Sequence, residues 1–249
     1  MEIRDRLSTQ ENYQEIIDFD METILKIKKE IEKLKESEKK GIQLYRRPNI
    51  EAIQYSYDDI FSYKYNLFLA EYSKGENMEK IEPIYYSLIE SMEQSWKKSN
   101  GYIEMIWTLS IGIMLEVEKE IFDKLKSLVE RDNLNDYLVD FLLQHSATQW
   151  SKQTTRFEFP VPYKNLSEVI EVSFTDKDKA LELLKNYLQK KWYKGHSDMG
   201  WYNAHKSKFN IHTGYWSFES GAVAKILQLD DSSLKEQQYY PYDMVHWKD

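Results

Sequence analysis

Long stretches of this chain repeat their apolar residues every three or four positions, and little glycine or proline interrupts them. From Glu11 to Lys40, Ile16, Phe19, Thr23, Ile27, Ile31 and Leu34 mark one face, and Lys/Glu pairs fill the remainder. Ser8 or Thr9, with Glu11 close behind, supplies an oxygen to cap the first turn, and Gly41 ends the helix. A sandwich or barrel needs many tight turns, and 8 Gly with 5 Pro in 249 residues do not furnish them. No second heptad array is present to pair with this helix as a coiled coil. The pattern predicts an all-α fold, a multi-helix bundle-like array.

The same period continues downstream. Pro48 suits a first helical turn, and a second helix to about Tyr72 carries Ile53, Tyr57, Ile60, Phe61, Tyr65, Phe68 and Tyr72. After a loop at residues 74–77, a third helix runs through Ile81, Tyr85, Leu88, Met92 and Trp96 to a stop at Asn100-Gly101. Tyr102 to Leu115 is the most apolar helix and is expected to be buried. Glu116 to Glu130 and Leu134 to His145 read as two more. Between Gln153 and Tyr163, Phe157, Phe159, Pro160, Val161 and Pro162 predict an extended connector. Helices resume at Asn165 to Val172 and at Asp176 to Trp192, where Thr175-Asp176 offers a cap, and a polar, aromatic loop from Gly195 to Phe209 leads to a last helix. The expected organisation is an N-terminal helical domain, residues 1–116, packed on a C-terminal one, residues 117–249.

With 41% hydrophobic and 31% charged residues, the balance is that of a soluble globular protein. No apolar run approaches the roughly 20 residues of a membrane span. The opening Met1-Glu2-Ile3-Arg4-Asp5 lacks signal-peptide character, and zero Cys removes disulfide and thiolate chemistry. A cytoplasmic protein is expected. The net charge of -8 disfavours nucleic-acid binding, which needs clustered Lys and Arg, and suits a basic partner. The same acidity also serves ordinary solubility.

The region after Gly214 is the most distinctive. Trp216, Ala222, Val223, Ile226 and Leu227 fall on one helical stripe, and Gly221 and Ala224 permit close approach of another backbone. Glu219 is the single acid in that turn, and Pro241 fixes a bend near the end. As a string, Gly214 to Val223, followed by Asp230-Asp231-Ser232-Ser233-Leu234 and Tyr239-Tyr240-Pro241-Tyr242-Asp243, resembles the C-terminal signature of the PoNi immunity proteins, which protect bacteria from PoNe-type DNase toxins. Gly214, Tyr215, Trp216, Phe218, Glu219 and Pro241 carry that signature. The run from Trp192 to Trp201-Tyr202-Asn203-Ala204-His205 fits the same domain. Arg4-Asp5, the Tyr55 to Tyr72 helix and the Trp107 helix are compatible with the helical domain that precedes it. The resemblance implies a binding protein with no catalytic motif, whose partner is a cognate PoNe-like DNase toxin domain. Spacing, charge and hydropathy point to no cofactor, no metal, no direct nucleic-acid contact and no membrane contact, and the resemblance does not locate the contact residues.

Two other functions stay in view. His196, Asp198, His205, His212, Glu219 and His246 are the residue types of a metal-dependent hydrolase, but steps of nine residues (His196 to His205) and seven (His205 to His212) fit no ligand motif. Surface or half-buried imidazoles are expected instead. A helical scaffold with a non-toxin partner is the other. Glu219 reads as an inward anchor needing backbone amides, Tyr hydroxyls or Lys225 as partners, since no second carboxylate completes an acid/base pair. Ser217, Ser232 and Ser233 lie in no nucleophile turn, and no Gly-rich phosphate loop occurs. Asp230 to Ser233 reads as a turn and cap for a short helix. Of 19 Tyr and 7 Trp most are core, yet the adjacent pairs Trp201-Tyr202 and Tyr239-Tyr240 cannot all face inward. The residues expected to contact a toxin are Asp198, Trp201, Tyr202, Asp230, Asp231, Tyr239, Tyr240 and Asp243.

Overall fold

Thr9 is the residue that starts the first helix: its hydroxyl accepts from the Asn12 amide, and α1 then spans Gln10–Lys39. A computed structural model describes residues 2–249, all helical or irregular, with no strand among them. The buried line of α1 is Tyr13, Ile17, Asp20, Ile24, Ile31 and Leu34, with Ile16 beside it. The stripe expected from sequence lies partly off this line, for Phe19 is 61% exposed and Thr23 and Ile27 are half-buried. The cause is Asp20. An acid in the middle of the buried row breaks the hydropathy pattern and shifts the apparent stripe by one residue.

Asp20 is 3% exposed, its Oδ2 has no hydrogen-bond partner among the described residues, and burial pushes its pKa up to about 7. The raised folded-state pKa sets the sign of its linkage. Its contribution is fully present below the unfolded value near 3.8 and is lost as pH rises through about 7, where the carboxylate must ionise in an apolar seam. Asp20→Asn is therefore expected to raise the melting temperature at pH 8, and to lose most of that gain at pH 5. Equal gains at both pH values in thermal melts would show that Asp20 does not titrate in this way.

The chain divides into two compact units. The first holds the chain up to Trp96, with α1, α2 (Asn49–Lys74) and α3 (Met78–Ser95), together with Asn203–Gly214. Within it α1 packs along α2, and α2 along α3. The segment from Asn203 is fastened there by three polar contacts. His212 Nε2 lies 2.8 Å from Asp5 Oδ2, Asn210 Nδ2 donates to the Asn12 carbonyl at 2.8 Å, and Ser73 Oγ donates to the Thr213 carbonyl at 2.8 Å.

The second unit comprises Lys97–Tyr202 and Tyr215–Asp249. It begins ahead of the 116/117 division drawn from sequence, because α4 (Tyr102–Leu115) packs on α11 (Phe218–Leu227). Every residue of α4 from Met105 onward is buried, so this helix needs cover on all sides. Helices α5 (Lys119–Arg131) and α6 (Tyr137–Ser146) follow. The connector expected over Gln153 to Tyr163 is irregular only as far as Phe159, because Pro160–Tyr163 closes into a short helical turn, and two buried acids hold its first part. Asp136 caps α6 through the Leu138 and Val139 amides and accepts from the Glu158 amide, while Asp140 accepts from the Trp150 indole and the Thr154 amide. A short turn α7 (Pro160–Tyr163), α8 (Asn165–Ser173) and α9 (Lys177–Asn186) come next, the last capped by Asp176. Helix α9 runs on through a π-helical segment, Tyr187–Trp192, into α10 (Tyr193–Gly195). The chain ends with a 3-10 turn, Asp231–Leu234, and α12 (Tyr242–Val245). Among the described residues no helix is long and apolar enough to cross a membrane.

Candidate functional site

The π-helical segment and the signature residues from Tyr215 onward build one cluster inside the second unit. A π turn is wider than an α turn and occurs mostly as a local bulge inside an α-helix, frequently at functional sites. Here Tyr187, Leu188 and Trp192 are all buried, with the tyrosine hydroxyl on Glu219 and the tryptophan's backbone carbonyl on His196. Tyr187 Oη donates to Glu219 Oε1 at 3.0 Å. The Trp192 carbonyl meets His196 Nδ1 at 2.7 Å, and Tyr163 Oη meets His196 Nε2 at 2.8 Å.

Gly214 has φ +113, a conformation that favours glycine, and three residues on Ser217 stands at the N-cap of α11. Helix α11 therefore begins at Phe218, so Trp216 precedes the stripe assigned to it and is buried from the lead-in instead. Glu219 sits in the first turn, where the helix dipole favours an acid, with no exposed surface. Burial pushes its pKa up to about 7, and the Ser217 hydroxyl, the backbone, Tyr187 and Trp192 act in the opposite direction. Ser217 Oγ donates to Glu219 Oε1 at 2.7 Å. Of the partners expected for Glu219, the tyrosine hydroxyl is present. Lys225 is not among them, since its Nζ donates to the Val245 carbonyl at 2.8 Å and pairs with Glu116 at 2.9 Å.

Gly221 serves close packing, though against side chains and not a backbone. A Cβ there would stand 2.4 Å from Met114 Sδ, 2.9 Å from Pro241 Cγ and 3.0 Å from Val245 Cγ2. Pro241 is buried at the start of α12, so this one missing methyl lets α4 and the final turn close on α11 together.

Around this frame the aromatic rings form a continuous stack. Tyr193 lies parallel to Tyr239 (5.4 Å between centroids, 9°) and stacks on Tyr202 at 4.5 Å. Trp192 stacks on Trp201 at 5.8 Å and meets Tyr239 at 4.8 Å. Tyr239 has φ +74, in the left-handed region where a bulky side chain is an outlier, and its carbonyl accepts from the Ser217 amide at 2.8 Å. Such strain persists only where the surroundings over-determine it, and it clusters at functional sites. Tyr193, Trp201, Tyr202 and Tyr239 keep part of their surface exposed, so the stack has a buried side and an open edge.

The residues expected to contact a toxin fall into two groups. Asp198, Asp230 and Asp243 are exposed, and Trp201, Tyr202 and Tyr239 are half-exposed. Asp231 and Tyr240 are buried, 4% and 3% exposed, and are spent on each other: Tyr240 Oη donates to Asp231 Oδ2, while His246 Nε2 lies 2.8 Å from Asp231 Oδ1. Those two hold the C-terminal turn and offer no surface. Asp230 caps the 3-10 turn through the Ser232 amide at 3.3 Å, as its position predicts. Sequence reasoning missed Tyr163, Tyr187 and Tyr193. Tyr187 reads as ordinary helix core, Tyr163 falls in the segment read as a connector, and the π register of Tyr187–Trp192 that precedes Tyr193 leaves no mark in hydropathy.

The histidines do not share an ion site. Among the described residues no three His, Asp or Glu side chains converge in a way that could hold a metal. His196 is buried with both ring nitrogens bonded and, chiefly through desolvation, its pKa falls to about 4. His212 is taken by Asp5, and His246 by Asp231 and Asp249. Glu219 Oε1 accepts from two hydroxyls, while its buried Oε2 has no hydrogen-bond partner among the described residues.

Comparison with known sequences decides the family. A profile described as PoNe immunity protein (PoNi), N-terminal, matches residues 4–127, and one described as PoNe immunity proteins (PoNi), C-terminal, matches residues 134–244. The chain belongs to the PoNi family. The resemblance read from the Gly214 to Asp243 string is thus borne out, and it extends through the N-terminal half. The two PoNi profiles part between residues 127 and 134, within neither the first unit nor the 116/117 division. The fold is similar to that of protein PA2201 from Pseudomonas aeruginosa, whose crystal structure superposes with a TM-score of 0.60 at 18% identity over 79% of this chain and 75% of that one. At that identity the likeness is one of fold. No curated protein matches this PoNi chain.

Proposed function

We propose that this protein neutralises a cognate PoNe-type DNase toxin by binding it stoichiometrically in the cytoplasm, without turnover, metal or cofactor. The observation that carries the proposal is the match of both halves of the chain to PoNe immunity proteins. The open edge of the Tyr193, Tyr202 and Tyr239 stack, with Trp201 behind it, supplies the rigid aromatic side chains that anchor interfaces. Exposed Asp198, Asp230 and Asp243 supply charge opposite to that of a groove built to hold phosphates. In this reading the immunity protein occludes the DNA-gripping cleft of the toxin, and Asp231, Tyr240, Glu219 and His196 keep the frame rigid from within.

The test is co-expression and reconstitution. With the cognate toxin domain, the chain is expected to rescue growth, to co-purify as a stoichiometric complex and to stop plasmid degradation. Tight binding with undiminished cleavage would leave the partnership standing and remove occlusion. Absence of any complex would remove the proposed function itself.

A further inference from the structure

The chain has five histidines, and one of them is held as a cation. His246, half-buried just after α12, places Nε2 2.8 Å from Asp231 Oδ1 and Nδ1 on Asp249 Oδ2. An ionised carboxylate only accepts, so each ring nitrogen that faces one must carry a hydrogen, and a ring with two N–H groups is an imidazolium. His196 differs: it is bonded to a tyrosine hydroxyl and a backbone carbonyl, which a neutral ring satisfies. Burial holds the pKa of His196, and those of His145 and His205, below the ordinary imidazole value. At His246 burial acts in the same direction, but the hydrogen bonds to Asp249 and Asp231 outweigh it and raise the pKa above 6.5.

The imidazolium ties together pieces of the second unit that are otherwise separate. Asp231 opens the 3-10 turn after α11, is buried, and accepts from the Tyr240 hydroxyl on its other oxygen. Tyr240 follows Tyr239, whose left-handed backbone and stacked ring stand at the open edge of the aromatic stack. Asp249 is the exposed end of the clamp, and the hydrogen bond from His246 holds its carboxyl below the ordinary range. On α12 the Tyr242 ring lies 4.3 Å from the imidazole. His246 and Asp249 border a cleft of about 680 Å³, which Glu116 of the α4 end, Lys119 of α5, His145 of α6 and Lys225 of α11 also line. Lys225 is offset by Glu116 at 2.9 Å, so the two aspartates dominate the field at the ring.

We propose that His246 is a protonation-dependent clamp on the turn after α12, closed while the ring is an imidazolium and open at Asp249 once the ring is neutral. A neutral ring keeps one N–H. That hydrogen stays on Asp231, whose buried oxygen has no water to turn to, while the carboxylate of Asp249, 64% exposed, hydrates instead. The lost contact frees residues 247–249 and opens the side of the cleft that Asp249 borders. The raised folded-state pKa fixes the direction. The contribution of the clamp is fully present below the unfolded value near 6.5 and is lost as pH rises through the folded one. Asp20 and Glu219 weaken the fold in the same direction, so a melt of the whole chain does not isolate the clamp, whereas titration of the ring does. The device acts whatever partner the chain binds, and it sets the pH sensitivity beside the turn that carries Tyr239.

The experiment follows the ring carbon–hydrogen signal of His246 by NMR through a pH titration of the full chain. His246→Gln assigns the signal, and Asp249→Asn cuts the exposed arm of the clamp without touching a buried group. The expected result is a wild-type midpoint above 6.5 that moves down in Asp249→Asn. The second readout is the Trp247 indole N–H, which is hidden from solvent in the clamped turn. Its protection from hydrogen exchange, corrected for the intrinsic effect of pH, should fall through the same midpoint in wild type and be low at every pH in Asp249→Asn. A wild-type midpoint at or below 6.5, or one that Asp249→Asn leaves in place, would overturn the clamp. A raised midpoint with unchanged indole protection on both sides of it would overturn it too, since the ion pair would then titrate without moving the turn.

Discussion

Trp192→Ala is expected to destabilise the second unit by about 3–5 kcal/mol, the cost of deleting a large, fully buried aromatic side chain. Trp192 has no exposed surface, and its ring meets Trp201, Tyr239 and His196. It ends the π-helical segment, so removing it takes away the packing that holds Tyr239 in its left-handed conformation as well as the ring's own burial. Glu219→Gln should cost less and depend on pH. The folded pKa near 7 lies above the ordinary carboxylate value, so the stability tied to the neutral form is present below about 4.5 and is lost as pH rises through 7. The amide keeps the neutral shape at every pH, so the variant should compare best with wild type above pH 7. Denaturant unfolding followed by near-ultraviolet circular dichroism measures both. An unchanged midpoint for Trp192→Ala, accompanied by lost toxin affinity, would mean that the ring is a contact residue and the frame does not depend on it.

How far the sequence disclosed this molecule depends on the range over which each feature is determined. Helix α4 was legible to the residue, because an apolar run bounded by Gly101 and a charged Glu116 needs no information from elsewhere. Caps at Ser8 or Thr9 and at Thr175-Asp176 were legible for the same reason, since a cap is a contact over three residues, and the fold selects Thr9 and Asp176. Asp20, Asp231 and Tyr240 were not. Hydropathy places an aspartate at the surface, and each of these aspartates is buried by contacts that local sequence does not specify. The membership of Asn203–Gly214 in the first unit was equally hidden. It depends on Asp5 meeting His212, two residues 207 positions apart whose pairing leaves no periodic trace. For the candidate site the family signature marked Glu219 and Trp216 as important, but only the fold separates the acids that anchor from those that face outward.

That separation sharpens what salt should do to the encounter with the toxin. An inhibitor of net charge -8 approaching a basic cleft should be steered by long-range attraction, so its association rate is expected to fall by at least about tenfold between low and high ionic strength. At about 0.1 M salt the field of a surface charge is screened within about 10 Å, and so only acids at the surface can contribute. Asp198, Asp230 and Asp243 meet that condition, whereas Glu219 and Asp231 do not. Asp198→Lys/Asp230→Lys/Asp243→Lys should therefore slow association and flatten its salt dependence, with little change in dissociation. Stopped-flow association at several ionic strengths, paired with dissociation by competition, resolves the two effects. An association rate that is flat across salt would make the acidity a matter of solubility and the interface chiefly apolar. If the charge-reversed variant instead alters only dissociation, the three acids act in a short-range contact and do not steer the encounter.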